Sequence, residues 1–318
     1  MRIAILGAGA VGSYLGARLA QAGEDVVLVA RGEHQRAIRE RGLEIHDDGG
    51  RRRIEIACFA PGEAFEPADV IVLTAKAHDL AAMLPQIASA SKPGATIVAA
   101  QNGIPWWYFQ QHGGELEGLV LDSVDPGGTL ARALDPQHVV GCVIYCPVHL
   151  LGPAIVEHSG PRRLELGYPD GRRSAQLDAI AAAIERAGFA APISANLRKE
   201  IWIKLLGNAA LNPIGALVRK TSGEVVEHPA GHRLVGEIMH ECVAVALATG
   251  LELDVSVEER LARIPVQVGR HKSSMLQDVE RGRRLELEPL VGAVVELGDR
   301  LRVDVTALRY VYLLAQMI

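Results

Sequence analysis

Apolar and polar positions along the 318-residue chain change their period once, near residue 193. Before it, short runs rich in Ile and Val recur: "RIAIL" (2–6), "EDVVLVAR" (24–31), "ADVIVLTAK" (68–76) and "GATIVAAQNG" (94–103). Continuous apolar runs of this length suit strands buried on both faces. Between them, "SYLGARLAQAG" (13–23) and "HDLAAMLPQIA" (78–88) carry helical spacing. From 113 to 170 the pattern is β-like and broken by Gly and Pro, in "HVVGCVIYCPVHL", "AIVEHSG" and "RRLELGYPDG". It reads as further strands, antiparallel, closing the sheet. "SAQLDAIAAAIERAG" (174–188) reads as a helix and "FAAPIS" (189–194) as a last strand. Beyond 193 β-runs vanish. Helical patterns cover 196–217, 230–249, 256–279, 288–300 and 304–316. The expected fold is an α/β N-terminal Rossmann-type dinucleotide-binding domain, residues 1–193, followed by an all-α C-terminal substrate domain, residues 194–318.

The first strand runs into "GAGAVG", with Gly7, Gly9 and Gly12 in G-x-G-x-x-G spacing, and then into a helix and a second strand. That context gives the motif its meaning. Gly7 allows the tight turn, Gly9 lets backbone approach a pyrophosphate, and Gly12 lets helix pack on strand. The helix N-terminus offers free N–H groups to the phosphates. The second strand is read to end at Arg31, where an enzyme using NAD usually carries an acid. An arginine accommodates a 2′-phosphate, so the residue favours NADPH, although Glu33 is close and a plain surface arginine is the alternative. Lys76 and Asn102 fall at strand C-terminal ends, where open α/β sheets bind ligands.

In "KEIWIKLLGNAALNPIGAL" (199–217), Lys204, Asn208 and Asn212 interrupt an apolar run. Their i, i+4, i+8 spacing drifts only about 40° per step, so they share one stripe. A helix apolar elsewhere is buried, and its polar stripe must be satisfied, as a wet cleft facing the nucleotide domain would do.

Composition narrows the partners. With 49% hydrophobic residues, 22% charged residues and a net charge of −5, no basic balance argues for nucleic acid. Arg51-Arg52-Arg53 and Arg281-Gly282-Arg283-Arg284 read as solvated loops. No run of about 20 uninterrupted apolar residues predicts a membrane span. The four cysteines form no C-x-x-C pair and read as reduced thiols in a cytoplasmic protein. His228 and His232 lack an evident third ligand, so no metal is expected. The cluster Trp106-Trp107-Tyr108-Phe109 suits either a roof over ligand or ordinary packing.

Over nearly its full length the chain resembles the ketopantoate reductases (2-dehydropantoate 2-reductases). The resemblance rests on "GAGAVG", "TAKAHD", "QNGI", "EIWIKLLGNAALNP" and "SSMLQDVERGRRLELEPLVG". It implies NADPH contacts at Gly7, Ala8, Gly9, Ala10, Val11, Gly12, Arg31, Lys76 and Asn102, with Asn102 also near substrate. It implies a catalytic proton donor at Lys204, substrate-binding asparagines at Asn208 and Asn212, and a carboxylate-holding serine at Ser274. Glu286 would stand beside substrate and nicotinamide. The chemistry agrees. An ammonium in an apolar pocket gives up its proton more readily and stabilises a developing oxyanion. The implied reaction is reduction of a 2-oxo acid, 2-dehydropantoate to pantoate in pantothenate and coenzyme A biosynthesis. Alternatives are another 2-oxo or imino acid on the same scaffold, or a non-catalytic NADPH-binding sensor. The chain departs from the family at His271 and Lys272, at Ser222 and at Val291, where asparagines are common. These departures bear on the substrate side chain. The sequence leaves the oligomeric state open, a homodimer included.

Overall fold

The structure is a computed structural model, and it describes residues 1–267 and 272–318. His271 lies outside the described residues. The chain divides into two compact units. One comprises Met1–Gln101, Gln110–His112 and Thr129–Leu197; the other comprises Asn102–Phe109, Gly113–Gly128 and Arg198–Ile318.

The first unit follows the expected alternation at its start. β1 (Arg2–Leu6) leads to α1 (Ala10–Gln21), β2 (Asp25–Val29) and α2 (Gly32–Arg41). β3 (Leu43–Asp47), β4 (Gly50–Ile54), β5 (Ala57–Phe59) and β6 (Ala68–Leu73) come next. α3 (Leu84–Ala90), β7 (Ser91–Ala99) and α4 (Thr129–Ala133) precede β8 (Val139–Tyr145), β9 (Val148–Gly152), β10 (Ile155–His158), β11 (Arg163–Gly167) and α5 (Ala175–Arg186). The main sheet has the order β11-β8-β7-β6-β1-β2-β5. All its pairs are parallel except β8–β11. The parallel strands, taken in chain order, give the 3-2-1-4-5-6 arrangement of dinucleotide-binding sheets. Ile5 registers with Leu28 on one side and Val72 on the other. Ile5 and Leu28 are fully buried, which is why these strands read as continuous apolar runs.

Four expectations change here. β8 is parallel to β7, not antiparallel, and only β11 closes the edge in the opposite sense. β9 and β10 leave the main sheet and join β3 and β4 in a second sheet of order β4-β3-β10-β9. Arg51–Arg53 therefore lie in an edge strand rather than a loop; charge along such an edge discourages pairing with another chain. "FAAPIS" makes only two isolated bridges, Arg163 with Ala190 and Leu166 with Ile193.

The second unit is helical: α6 (Leu197–Val218, its first residue belonging to the other unit), α7 (Ser222–Glu227), α8 (Pro229–Ala248), α9 (Val257–Gln267), α10 (Ser274–Glu280), α11 (Ala293–Leu301) and α12 (Thr306–Ala315). The single helix expected over 256–279 is described as α9 and α10, because the Ser273 hydroxyl accepts the Leu276 N–H and starts α10 afresh. The pattern over 288–300 opens with a π-turn at Glu288–Gly292 that feeds α11. α7 begins with a capping box between Thr221 and Glu224, and Ser222 is buried in its first turn. The His228 ring caps α8 by accepting the Ala230 N–H. α6 has the length and mean hydropathy, 1.3, of a membrane span, but 67% of that window is buried inside the protein, as befits a core helix.

Candidate active site

Each unit carries one constellation. In the first, β1 delivers the chain to a turn at Gly7, whose φ of +82° an L side chain rarely adopts. A Cβ at Gly7 would stand 2.5 Å from that of Ala75, and one at Gly12 would stand 2.3 Å from the Thr74 hydroxyl. Gly9 differs: among the described residues a Cβ there would meet nothing closer than the Gly7 carbonyl oxygen, at 3.9 Å. So Gly7 and Gly12 are required by the fold, whereas Gly9 leaves backbone open for a ligand. α1 starts at Ala10 with no side-chain cap and no acid in its first turn, the state of a helix end that receives an anion. These features fit a dinucleotide pyrophosphate.

β2 ends at Val29, two residues short of the expected point, and Arg31 serves as the N-cap position of α2. Its side chain is 80% exposed and meets Asp79 at 3.2 Å. A pair that exposed contributes little, so a phosphate can replace the carboxylate at small cost. Lys76 opens the short turn Ala77–Asp79, directly after Thr74 and Ala75, the residues that pack on the glycine turn.

In the second unit, the burial of α6 matches the polar stripe. Ile203, Lys204, Gly207 and Asn208 are half-buried among fully buried neighbours, and Asn212 is 7% exposed. The Lys204 ammonium donates to Asn102 Oδ1 at 2.6 Å. Asn102 lies beyond the end of β7 and belongs to this unit, not to the sheet it follows. It is fixed there by its neighbours. Ile104 N–H donates to the Pro289 carbonyl at 2.8 Å. Gly103 has φ +84°, and a Cβ on it would stand 2.1 Å from that same carbonyl oxygen. Pro289 sits in the π-turn three residues after Glu286, so one short contact joins the Asn102 segment to the Glu286 segment. Glu286 is half-buried just before that turn.

Ser274 is exposed at the head of α10; among the described residues its hydroxyl bonds to none of the α6 stripe. The aromatic cluster is interior packing. Trp106, Trp107, Tyr108 and Phe109 are 5%, 1%, 1% and 1% exposed. Tyr108 accepts the Trp202 indole N–H at 2.7 Å, and burial pushes its phenol up to about 12.

Two residues were not singled out from the sequence. Gly207 falls on the stripe between Lys204 and Asn208, and among the described residues a Cβ on it would have no neighbour nearer than the Arg260 guanidinium, at 4.0 Å. A glycine inside a helix costs roughly 1 kcal/mol, so one that no described residue crowds marks space kept clear. Its signal in the sequence was its place inside an otherwise strongly helical run. Arg260, on α9, brings a second cation beside the stripe.

A parallel sheet of this order with an open glycine turn, and a helical unit holding a lysine and carboxamides, define a dinucleotide-dependent oxidoreductase acting on CH–OH groups. The comparisons sharpen the class. Residues 3–171 match the family model "Ketopantoate reductase PanE/ApbA", and residues 196–318 match its C-terminal counterpart. The chain belongs to the ketopantoate reductase family. It is 42% identical over 299 residues to a 2-dehydropantoate 2-reductase of Mesorhizobium japonicum, covering 94% of this chain and 91% of that protein. A PanE/ApbA family ketopantoate reductase of Ralstonia eutropha JMP134 superposes with TM-score 0.85 at 30% identity, over 100% of this chain and 98% of that one. A D-mandelate dehydrogenase solved with NADH and anilino(oxo)acetate superposes with TM-score 0.86 at 26% identity, over 100% and 98%.

Proposed function

We propose that this protein reduces a 2-oxo acid to the 2-hydroxy acid with NADPH, and that the acid is 2-dehydropantoate, yielding pantoate for pantothenate and coenzyme A synthesis. The observation that carries the reading is the Lys204–Asn102 pair on the half-open stripe of α6. Bound NADPH supplies the hydride. As the carbonyl is reduced, negative charge gathers on its oxygen, and the Lys204 ammonium stabilises that charge and gives up a proton. Asn102 holds the ammonium by accepting a hydrogen bond from one of its N–H groups, which directs the others. Asn208 and Asn212 bond the acid without adding a charge that would repel its carboxylate. Ser274 donates to the carboxylate, and Glu286 accepts from a substrate hydroxyl or orients Lys204. Two cations along the stripe, Lys204 and Arg260, suit an anionic substrate. In the first unit, Gly7 to Gly12, Arg31 and Lys76 bind the dinucleotide, with Arg31 taking the 2′-phosphate. Four buried thiols suit a reducing cytoplasm.

A second reading is a reductase for a different 2-oxo acid. Val291 in place of the family asparagine and the likeness to D-mandelate dehydrogenase favour it. One experiment separates them: NADPH and NADH oxidation followed with a panel of 2-oxo acids. Ketopantoate and NADPH should give the highest kcat/KM. An aromatic 2-oxo acid turned over faster would select the second reading. Lys204→Ala should lower kcat by about two decades or more while NADPH affinity holds. A variant that kept parent kcat would remove Lys204 from the proton-transfer step.

A further inference from the structure

Ser13, fully buried, and His34, half-buried, form a polar relay that the proposed reaction does not use. Ser13 is fully buried on α1, one residue after Gly12. Its hydroxyl donates to the Ala8 carbonyl at 3.1 Å, inside the glycine turn. The same oxygen meets His34 Nε2 at 2.9 Å. His34 Nδ1 accepts the Ala154 N–H at 3.0 Å. Ala154, only 1% exposed, sits between β9 and β10 at φ +59°, and its own carbonyl accepts from Glu44 N–H on β3. The directions are forced. A backbone N–H can only donate, so Nδ1 carries the lone pair, Nε2 carries the hydrogen, and the Ser13 proton goes to Ala8. Burial lowers the basicity of His34, in keeping with a neutral ring.

The arm this relay holds is the one that bears Arg31. At its near end the Val29 carbonyl accepts from both Gly7 and Ala8 N–H, at 3.0 and 2.8 Å. At its far end His34 returns through Ser13 to Ala8. Residues 29–34 are thus tied at both ends to the same turn, with Arg31 projecting from the middle, 80% exposed. The second sheet acts through Ala154 as the anchor of the far tie.

We propose that His34 and Ser13 are positioning residues for the dinucleotide: they fix the distance between the turn that takes the pyrophosphate and the arm that takes the ribose 2′-substituent. The inference rests on the reading that the turn and Arg31 bind NADPH. Loosening the far tie weakens both dinucleotides through the turn, and NADPH further through Arg31.

The test is calorimetric titration of NADPH and of NADH onto the whole protein without oxo acid, with kinetics in parallel. His34→Ala should raise the NADPH Kd about tenfold and the NADH Kd about threefold, the scale of one or two hydrogen bonds. The KM for the oxo acid and kcat at saturation should stay within about twofold. Ser13→Ala should cause a similar loss, and the double variant should be no worse than His34→Ala, because both cut one relay. His34→Gln, which keeps an acceptor and a donor, should recover part of the affinity. Amide exchange at residues 30–34 should quicken in unliganded His34→Ala. Parent-like Kd values in both single variants, or fully additive losses, would overturn the proposal while leaving the cofactor reading intact. A parent protein that binds neither dinucleotide would overturn both.

Discussion

At the scale of single residues, Gly207 is the most informative position on α6. Its half-buried stripe neighbours Lys204 and Asn208 carry the polar chemistry, and among the described residues a Cβ on it would meet only the Arg260 guanidinium, at 4.0 Å. Gly207→Leu should stabilise the helix by about 0.8 kcal/mol, since glycine is the poorer helix former. It should also raise the KM of the oxo acid at least tenfold and leave the dinucleotide Kd alone. Steady-state kinetics with a melting curve reads both effects. A KM at the parent value would place the oxo acid elsewhere. Arg260 shows why this part of the site was hard to see in the sequence. Its guanidinium comes near Gly207 from α9, some fifty residues later in the chain, and no local spacing encodes that meeting.

Elements divide into those set by short-range pattern and those set by long-range pairing. β1, the glycine turn, α1 and α6 were legible because each follows from a period or spacing within about 20 residues. The second sheet was not. β4 reads "GRRRI", which has no apolar signature, and it becomes a strand by pairing with β3 in register from Leu43–Ile54 to Asp47–Gly50. The hairpin carries Asp47, whose side chain is 0% exposed beneath Arg52, Tyr14, Arg18 and Arg162. Burial alone would raise its pKa, but the Tyr14 hydroxyl, the Gly49 N–H and Arg52 outweigh burial and hold it below the ordinary value. A depressed carboxylate stabilises the fold above its unfolded pKa of about 3.9, and the contribution disappears as pH falls through the folded value. Stability should therefore be flat near neutrality on this account and fall below about pH 4. Asp47→Asn should cost about 2 kcal/mol at pH 7 and shallow the acid limb of the Tm–pH curve. Identical acid limbs in parent and variant would show that other carboxylates govern acid unfolding.

For the whole molecule, the pattern changes period near residue 193, and one division between the two units falls at Leu197–Arg198. The earlier divisions have no counterpart in that pattern. Residues 102–109 and 113–128 lie in the α/β half of the sequence yet pack with the helical unit. Their membership depends on contacts made far along the chain: Ile104 with Pro289, Tyr108 with Trp202, and the Asp122 and Ser123 N–H groups with the Glu296 carboxylate. No turn signal or periodicity near residue 102 announces such partners. Asn102 could be read as lying at the end of a strand, but its attachment to Lys204 required the fold.

The polypeptide crosses between the two units at 101/102, 109/110, 112/113, 128/129 and 197/198. No single cut separates them, so neither half is a module that recombination can lift out and graft onto a new partner. A fragment of residues 198–318 lacks Trp107 and Tyr108, each 1% exposed in the intact protein, and leaves the Trp202 indole without its acceptor. Expressed alone, it should show the red-shifted tryptophan emission of a wet indole and no cooperative melt. Adding a peptide of residues 102–128 should restore part of both signals. A blue-shifted fragment that melted sharply by itself would mean that the interleaved segments decorate the helices without completing them. If they complete them, a break anywhere between residues 110 and 197 parts the helices from a segment that they need.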